Sequence, residues 1–331
     1  MYSRLMQAVV FDEHGDEGVL HLGEVPSPDL GDGEVRIQVA AAGVNRADLL
    51  QRKGLYPPPP GASEVLGLEC AGTVIETGGD VTGYAPGDRV MALLPGGGYA
   101  EEVAAPEGCV LPSPKMFDDV EAGAFPEVYI TAFLGLFLIG GLEHGQTALV
   151  HGGSGGVGTA SIQLARAAGA SILVTAGSAE RCRRCEALGA NRAFNYREED
   201  FAAGALEHTS GHGVDVVLDC IGGSYLERHL DVLESGGHLV VIGLQGGRTA
   251  ELDLARVMRK RLTITGSTLR ARSAEEKGGI MAAFNERFGA DLEAGRIRPV
   301  IDRTLPFEQA AEAHRLLAAG EIFGKLVLTA S

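Results

Sequence analysis

Residues 151–158, with the sequence HGGSGGVG, carry glycines and a serine at spacings that fit three kinds of loop. From Gly153 the letters GSGGVG match the G-x-G-x-x-G pattern of a dinucleotide-binding loop. From Gly152 the letters GGSGG match the turn that presents the nucleophile of serine hydrolases, with Ser154 as that nucleophile. Gly153 and Gly158 also have the spacing of a nucleoside triphosphate loop. The residues around the loop must decide between these three chemistries.

Two of the three interpretations explain less of the sequence. A triphosphate loop needs a lysine directly after its second glycine, where this chain has Thr159. A hydrolase triad starting at Ser154 is available in chain order. Its acid would be Asp219 and its histidine His238 or His314, but acids and histidines are common in a chain of this length. Five glycines among the seven residues 152–158 favour close approach of the backbone to a ligand over a strained turn.

The dinucleotide interpretation also explains the flanking segments. The short apolar run TALVH (147–151) predicts a strand before the loop, and GTASIQLARAAG (158–169) predicts an amphipathic helix after it. The glycines then serve a tight turn, close approach to a pyrophosphate and close packing of helix on strand. The free N–H groups at the start of the helix would bind the phosphates.

The end of the next predicted strand, SILVTAG (171–177), indicates which dinucleotide is bound. NAD-selecting sites usually carry an acid there, bonded to the ribose 2′-hydroxyl, and this chain has none at the strand tip. Ser178 and Arg181 can instead bind a 2′-phosphate. Alternatively, Arg181 and the arginines that follow it on the predicted helix form a solvent-exposed face and bind no phosphate. We expect NADPH in preference to NADH.

Composition excludes several classes of partner. The chain has 331 residues and a formal net charge of −16, which disfavours nucleic acid and anionic membrane surfaces. Its longest apolar run, residues 130–142, is too short to span a bilayer, and no signal-peptide segment is apparent. The five cysteines form no disulfide pattern, and Cys182-x-x-Cys185 falls in a predicted helix. We expect a cytoplasmic protein.

The pattern of predicted elements gives two domains and an α/β fold class. Glycine-punctuated strands fill the first third of the chain, and strands then alternate with helices from about residue 125. That alternation predicts a doubly wound parallel sheet, a Rossmann dinucleotide-binding domain over 126–270. The last segment predicts a strand, a helix and a strand that return to the first domain. We therefore expect a β-rich catalytic domain over 1–125 and 271–331.

Several stretches resemble the medium-chain dehydrogenase/reductase superfamily, and within it the quinone oxidoreductase branch. They are GVNRADLLQRKGLYPPPPGAS (43–63), MALLPGGG (91–98), TAFLGLF (131–137), HGGSGGVGTASIQLAR (151–166), FNYREEDF (194–201), LDCIGGSYLE (218–227) and GKLVL (324–328). The resemblance covers nearly the whole chain, and it implies a GroES-like barrel for the β-rich domain. It also implies pairing into a homodimer through the edge strand formed by LTITGS (262–267).

The resemblance also implies that this chain needs no zinc. Zinc alcohol dehydrogenases of the superfamily bind a catalytic metal at places matching Asn45, Leu68-Glu69 and the region of Tyr129. None of these supplies a thiolate or an imidazole, the ligands that catalytic zinc takes most often. The four-cysteine structural lobe is missing as well, and His208 and His212 flank a loop-like TSG. We expect a metal-free site that reduces an electron-poor acceptor such as a quinone.

Site residues follow from the resemblance by position. Asn45 and Thr131 would lie near the nicotinamide, Tyr56 would contact the acceptor or donate a proton to it, and Asp48 would serve catalysis by orienting its loop. Further cofactor contacts are implied for Ser154, Gly155, Gly156, Val157, Gly177, Ser178, Arg181, Tyr196, Gly243, Leu244, Thr268, Leu269, Gly324 and Lys325. The expected activity is NADPH-dependent quinone reduction. The alternatives are an enone or enoyl-thioester reductase on the same fold, and an NADPH-binding protein without turnover.

Overall fold

The chain divides into two compact units in the computed structural model, which describes residues 4–330. The first unit contains residues 1–128 and 269–331, and the second contains residues 129–268. Residues 126–128 and 269–270, which the sequence analysis assigned to the Rossmann domain, fall in the first unit. Over residues 4–330, no helix combines the length and the apolarity needed to cross a membrane.

The N-terminal part of the first unit is built mainly of strands, as the alternating apolar pattern predicts. Its elements are β1 (Leu5–Val10), β2 (His21–Pro26), β3 (Glu34–Gly43), α1 (Arg46–Arg52), β4 (Glu69–Thr77), β5 (Arg89–Leu93), β6 (Glu102–Pro106), β7 (Val110–Pro112) and α2 (Asp119–Gly123). The helix α3 (Pro126–Phe133) begins in this unit, and its residues from 129 onward belong to the second unit. Strand β3 pairs antiparallel with both β4 and β6, and β1 pairs with β2. The long strand β3 is therefore the centre of this sheet.

The second unit alternates strands and helices. After α3 the chain continues as a π-helical segment, Leu134–Ile139, and then forms β8 (Thr147–Val150), α4 (Gly156–Ala167), β9 (Ser171–Ala176), α5 (Ala179–Leu188), β10 (Arg192–Asn195), α6 (Phe201–His208), β11 (Val214–Asp219), α7 (Leu226–Val232), β12 (Leu233–Val241), α8 (Leu254–Lys260) and β13 (Thr263–Gly266). All six strands are parallel, in the order β10-β9-β8-β11-β12-β13. This order is that of a Rossmann sheet, so the predicted fold class is confirmed.

The chain order reverses between β8 and β11, which are neighbours in the sheet. Ligands of doubly wound sheets bind outside the carboxyl ends of the strands at such a reversal. The glycine loop follows β8 directly and therefore lies at the ligand-binding end of this sheet.

The C-terminal part returns to the first unit, as the sequence predicts. Its elements are α9 (Ala274–Glu293), β14 (Ile301–Pro306), α10 (Ala310–Ala319) and β15 (Lys325–Thr329). Strand β15 lies between β14 and β3, parallel to the first and antiparallel to the second. The last strand of the chain thereby extends the sheet begun by its first forty residues.

Two local features differ from what the sequence pattern indicates. The pattern of residues 127–142 is typical of one helix, but α3 changes to π-helical geometry at Leu134 and the helix ends before Gly140 and Gly141. Gly141 has a φ of 67°, which glycine adopts without strain. The helix α9, with 20 residues, was not predicted, because its buried face is interrupted by glycines and charged residues.

Candidate active site

The glycine loop connects β8 to α4, and each of its glycines has a distinct environment. Gly152 has a φ of 74°, which forms the turn. A Cβ atom on Gly153 would lie 2.6 Å from Cβ of Val174 on β9, and one on Gly158 would lie 2.5 Å from Cα of Gly153. These glycines therefore allow loop, helix and strand to pack closely. Around Gly155 the nearest atom to such a Cβ is 3.5 Å away.

The start of helix α4 is suited to bind an anion. Gly155 is its N-cap residue and offers no side chain to bond the first N–H groups of the helix. Ser154, Gly155, Gly156 and Val157 form this end of the helix, where N–H groups and the helix dipole favour phosphate. The arrangement fits the dinucleotide interpretation of the loop.

The hydrolase alternative does not find its triad in this structure. The carboxylate of Asp219 accepts hydrogen bonds from the backbone N–H groups of Ile221 and Gly222, at 2.7 and 2.9 Å. Nδ1 of His238 lies 3.3 Å from the carbonyl oxygen of Ile139. The two ring nitrogens of His314, the other candidate base, lie 3.4 Å from Nη1 of Arg52 and 3.4 Å from the Tyr99 hydroxyl. The proposed acid and bases of a triad are thus engaged elsewhere.

Four residues implied for the adenosine end lie together in the second unit. Ser178 is the N-cap of α5, and its hydroxyl accepts a hydrogen bond of 3.3 Å from the backbone N–H of Arg181. A Cβ on Gly177 would lie 3.0 Å from the hydroxyl oxygen of Tyr196, so the tyrosine ring covers this glycine. The Ser178 hydroxyl keeps its own proton to donate to a phosphate. One acid, Glu180, is exposed in the same helical turn.

The remaining implied contacts are distributed over both units. Gly243 follows β12, and a Cβ there would lie 2.9 Å from the carbonyl oxygen of Cys220, which brings two strand ends together. Leu244 is 51% exposed. Thr131 is half-buried on α3, and Thr268 is the last residue of the second unit. Leu269 and Gly324 belong to the first unit, where Gly324 has a φ of 95°.

Lys325 occupies the centre of a buried polar cluster in the first unit. Its ammonium group donates hydrogen bonds to the carbonyl oxygen of Val44 at 3.0 Å, to Oδ1 of Asn45 at 2.6 Å and to Oε1 of Glu69 at 2.7 Å. Nδ2 of Asn45 donates to the same Glu69 oxygen at 2.8 Å. The cation and the carboxylate together fix which way the Asn45 amide points. Asn45 is therefore held rigidly between β3 and α1.

Asp48 positions the loop that carries Asn45. It is fully buried, and its carboxylate accepts hydrogen bonds from the backbone N–H of Asn45 at 2.8 Å and of Gly67 at 3.0 Å. The Tyr99 hydroxyl donates to it at 3.2 Å. Burial raises the pKa of Asp48 to about 6, although these donors act in the opposite direction. All of these partners are protein groups, which fits the expected orienting role.

A chain of donors extends from Asp48 through the core. Arg52 can donate to Nδ1 of His314 at 3.4 Å, and Nε2 of His314 lies 3.4 Å from the Tyr99 hydroxyl. Since an arginine only donates, Nδ1 must accept and Nε2 must carry the proton. Burial lowers the pKa of His314 to about 3, which keeps the imidazole neutral. The hydrogen bonds therefore run from Arg52 through His314 and Tyr99 to the Asp48 carboxylate, which accepts the last one.

Tyr56 is held by Arg270, a residue that the sequence analysis did not single out. The Arg270 guanidinium donates to the carbonyl oxygens of Pro95 at 2.7 Å and of Tyr56 at 3.2 Å, and to Oε1 of Gln51 at 2.6 Å. Its Cζ atom is 5.4 Å from the centroid of the Tyr56 ring. Tyr56 is half-buried, and burial raises the pKa of its hydroxyl. Only the fold brings Arg270 and Tyr56 together, because they are 214 positions apart in the chain.

Glu127 is a second residue that sequence reasoning missed. Its backbone N–H donates to Oε2 of Glu69 at 2.9 Å, and its own Oε2 is buried without a hydrogen-bond partner. Burial, followed by the charge of Glu69, raises the pKa of Glu127 to about 8. In the sequence, only the position of Glu127 two residues before Tyr129 pointed to it, because the resemblance matches that region to a metal-binding place of zinc alcohol dehydrogenases.

The donor set of this cluster does not fit zinc. Asn45, Leu68, Glu69 and Tyr129 offer neither thiolate nor imidazole, and the Lys325 ammonium already occupies the oxygens of Asn45 and Glu69. A divalent cation there would have to displace a buried ammonium group. No step of the chemistry below is therefore assigned to a metal.

A pair of histidines lies beneath the glycine loop. Nε2 of His151 is 2.9 Å from Nε2 of His229, and Nδ1 of His151 is 3.0 Å from the hydroxyl oxygen of Thr175. Nδ1 of His229 lies 3.8 Å from Oδ2 of Asp219. Among residues 4–330, His151, Asp219 and His229 are the one group of three possible ligands whose atoms approach within 4.8 Å.

The histidine pair is better explained by a shared proton than by a metal. Tetrahedral zinc with bonds of about 2.0–2.1 Å holds its nitrogen ligands roughly 3.3 Å apart, which is wider than this hydrogen bond. Burial lowers the pKa of His151 well below its ordinary value and that of His229 to about 3. Both imidazoles are neutral, and they support the loop that follows His151.

The two cysteines of α5 and the two histidines near α6 behave as the sequence indicates. Cys182 and Cys185 are free and buried on α5, and burial raises the pKa of Cys185 to about 12. Helix α6 ends at His208, and His212 lies beyond it in a turn.

Comparison with known proteins agrees with this architecture. Residues 31–115 match the family described as alcohol dehydrogenase GroES-like domain, and residues 156–285 match the zinc-binding dehydrogenase family. The chain is 34% identical over 328 residues to quinone oxidoreductase from Homo sapiens, with 98% of each chain covered.

Solved structures give the same result. A structure of NAD-dependent alcohol dehydrogenase is 33% identical with a TM-score of 0.86, covering 98% of this chain and 100% of the other. Escherichia coli quinone oxidoreductase complexed with NADPH is 28% identical with a TM-score of 0.84 and the same coverage. The CurK enoyl reductase is 27% identical with a TM-score of 0.86, over 98% and 99% of the two chains. The chain therefore belongs to the medium-chain dehydrogenase/reductase superfamily of oxidoreductases.

Proposed function

We propose that this protein is an NADPH-dependent, zinc-independent quinone reductase. The observation that carries the proposal is the Lys325–Glu69–Asn45 cluster, which fills with an ammonium group the place where relatives with zinc would need metal ligands. The similarity to quinone oxidoreductases over 98% of the chain supports the choice of acceptor. We further propose that the protein acts in the cytoplasm.

The residues of the second unit would bind the cofactor by its phosphates. We assign the pyrophosphate to Ser154, Gly155, Gly156 and Val157 at the start of α4. Gly177, Ser178, Arg181 and Tyr196 would bind the adenosine end, with Arg181 supplying charge to the 2′-phosphate. Thr131, Gly243, Leu244 and Thr268 are the other proposed contacts of this unit. When bound, the reduced nicotinamide supplies a hydride to an electron-poor acceptor.

The residues of the first unit would position the reactants. Asn45, fixed by Lys325 and Glu69, is the proposed nicotinamide contact, with Leu269, Gly324 and Lys325 as further cofactor residues. Asp48 holds the Asn45 loop, and Tyr56, supported by Arg270, would contact the acceptor. Rigid placement of this kind is the main means by which a site without a metal accelerates hydride transfer.

The proposal also includes a homodimer. Strand β13 is the edge of the second unit's sheet and, among the residues that the structure describes, pairs with β12 alone. Helix α8, just before it, exposes Leu254 by 69% and Met258 by 75%. An exposed edge strand beside apolar side chains is a surface that pairing would protect. Light scattering after size-exclusion chromatography measures the mass, and a monomer at micromolar concentration would refute the dimer.

The decisive experiment measures loss of NADPH absorbance with 9,10-phenanthrenequinone, beside NADH and in the presence of a chelator. Turnover that resists the chelator and prefers NADPH supports the proposal. Binding of NADPH without turnover on any quinone, but with turnover on an enone or enoyl thioester, would establish the second candidate, which the CurK similarity favours. Binding without turnover on either class would leave a non-catalytic NADPH-binding protein.

A further inference from the structure

Two neighbouring carboxyl groups in the first unit, those of Glu69 and Glu127, share the influence of one ammonium group, that of Lys325. The Glu69 carboxylate accepts three hydrogen bonds, from the Lys325 ammonium group, from the Asn45 amide and from the backbone N–H of Glu127. Both oxygens of the Glu69 carboxylate therefore have hydrogen-bond donors. Its neighbour Glu127 is the other carboxyl group of the pair.

Lys325 has no hydrogen left for Glu127. Its three N–H groups are used by Val44, Asn45 and Glu69. Oε2 of Glu127 is buried and has no partner among the described residues. A buried anion without a donor is costly, and the carboxyl group avoids the cost by keeping its proton.

The charged groups around Glu127 act in both directions. Glu69 and Asp48 favour its neutral form, whereas Lys325 and Lys277 favour its charged form, and burial exceeds each of them in raising the pKa to about 8. Tyr56 and Arg270 also lie within electrostatic range, since the Glu127 charge influences both groups. At neutral pH Glu127 is therefore a neutral acid within electrostatic range of the proposed acceptor contact Tyr56.

We propose that Glu127 is the proton donor of the reaction, an inference that rests on the proposed quinone reductase activity. Tyr56 is the other candidate, but its phenol is held above its ordinary pKa of 10.0, by burial first and the Glu127 charge second. A group that gives up its proton near the working pH is the more effective acid. In this assignment Tyr56 contacts the acceptor and Glu127 protonates it.

The step balances with the groups named. A hydride from NADPH brings two electrons and one hydrogen to the quinone and leaves NADP⁺ and a hydroquinone anion. The O–H bond of Glu127 breaks, and its proton binds the phenolate oxygen to give the hydroquinone. The Glu127 carboxylate then regains a proton from water.

The first test compares the wild-type protein with Glu127→Gln, which keeps the shape of the acid but carries no acidic proton. Phenanthrenequinone turnover is measured from pH 5.5 to 9.5, with the NADPH Kd measured in parallel. The wild-type kcat should fall above about pH 8. The kcat of Glu127→Gln should be about 100-fold lower and should no longer fall above that pH, while its Kd for NADPH stays unchanged. A variant that retains the wild-type kcat and pH profile would overturn the inference. Glu293→Gln, an exposed position on α9, is the matched control.

The second test does not depend on turnover. Infrared difference spectra between pH 6 and 10 should show a carboxylic acid C=O band that disappears near pH 8 and is absent in Glu127→Gln. Its absence from the wild-type spectrum would overturn the inference even if quinones are reduced. If the band is present but no quinone is reduced, the proposed function is refuted, whereas the protonated state of the buried Glu127 is established.

Discussion

The ammonium nitrogen of Lys325 lies 2.7 Å from Oε1 of Glu69, and neither side chain is more than 3% exposed. The pair joins β15 to β4 across the first unit, 256 positions apart in the chain. Because each charge is buried, each depends on the other for its stability. The relationship makes Lys325 a structural centre of the candidate site whether or not it also meets the cofactor.

Replacing Lys325 by Met should lower the free energy of unfolding by about 3–5 kcal/mol, because Glu69 would be left as an uncompensated buried charge. Urea denaturation of the variant beside the exposed control Lys115→Met measures the loss. Adding Glu69→Gln to Lys325→Met should recover part of it, since the remaining charge is removed. A loss no larger than that of the control would contradict the account of the pair.

Two glycines of the loop should respond differently to alanine. Gly158→Ala places a Cβ 2.5 Å from Cα of Gly153 and should destabilise the protein by about 1–3 kcal/mol. Gly155→Ala meets only ordinary contacts, and its φ of −88° suits alanine, so the fold should be unaffected. NADPH affinity should still fall in Gly155→Ala, because the methyl group is added at the N-cap of α4, next to the first N–H groups of the helix that would bind the phosphate. Thermal unfolding and NADPH titration separate the two effects, and equal affinity in wild type and Gly155→Ala would argue against that site.

Arg181→Glu tests the cofactor preference. A charge-assisted hydrogen bond of about 1.5–3 kcal/mol to the 2′-phosphate predicts a loss of roughly 10- to 100-fold in kcat/KM with NADPH and little change with NADH. Arg183→Glu, exposed on the same helix, is the matched control. Equal losses of kcat/KM with NADPH and NADH would show that Arg181 does not bind the 2′-phosphate.

The neutral histidine pair predicts a loss of stability in acid. The folded-state pKa of His229 is lowered to about 3, while the unfolded chain has the ordinary value of 6.5. Between these values the unfolded state binds a proton that the folded state refuses, so the free energy of unfolding falls as the pH drops below about 6.5.

His229 alone should contribute about 1.4 kcal/mol per pH unit to this slope. His229→Gln should reduce the slope by that amount, whereas the exposed control His208→Gln should leave it unchanged. Urea denaturation at several pH values between 4 and 6.5 provides the measurement. An unchanged slope in His229→Gln would mean that His229 is protonated in the folded protein.

The Rossmann part of the fold could be predicted from local patterns. Its parallel strands are short apolar runs buried on both faces, and glycine loops and helices separate them at regular intervals. The glycine loop was identified with its neighbours for the same reason, since β8, α4 and β9, which flank it, lie within about thirty residues of the chain. The π-helical turn at Leu134 left no such signal, because its side chains are apolar on every face.

The polar cluster of the first unit could not be derived in that way. Lys325 meets Asn45 and Glu69, and Arg270 meets Tyr56, only after strands far apart in the chain have paired. Sequence patterns predict which face of an element is buried, but they do not predict which buried polar groups share a proton or a charge. Glu127 and the His151–His229 pair were missed for this reason.

The position of β15 in the sheet also determines the order in which the chain can fold during synthesis. Every strand of the second unit has been made by residue 266, whereas Lys325 follows about 57 residues after the unit ends at residue 268. At about 5–20 residues per second the ribosome needs roughly 3–11 s for that interval. The parallel sheet of the second unit can therefore form on the ribosome before Lys325 is made, whereas Asn45 and Glu69 are made much earlier. The charge of Glu69 is balanced only after β15 has been synthesised and has paired with β3.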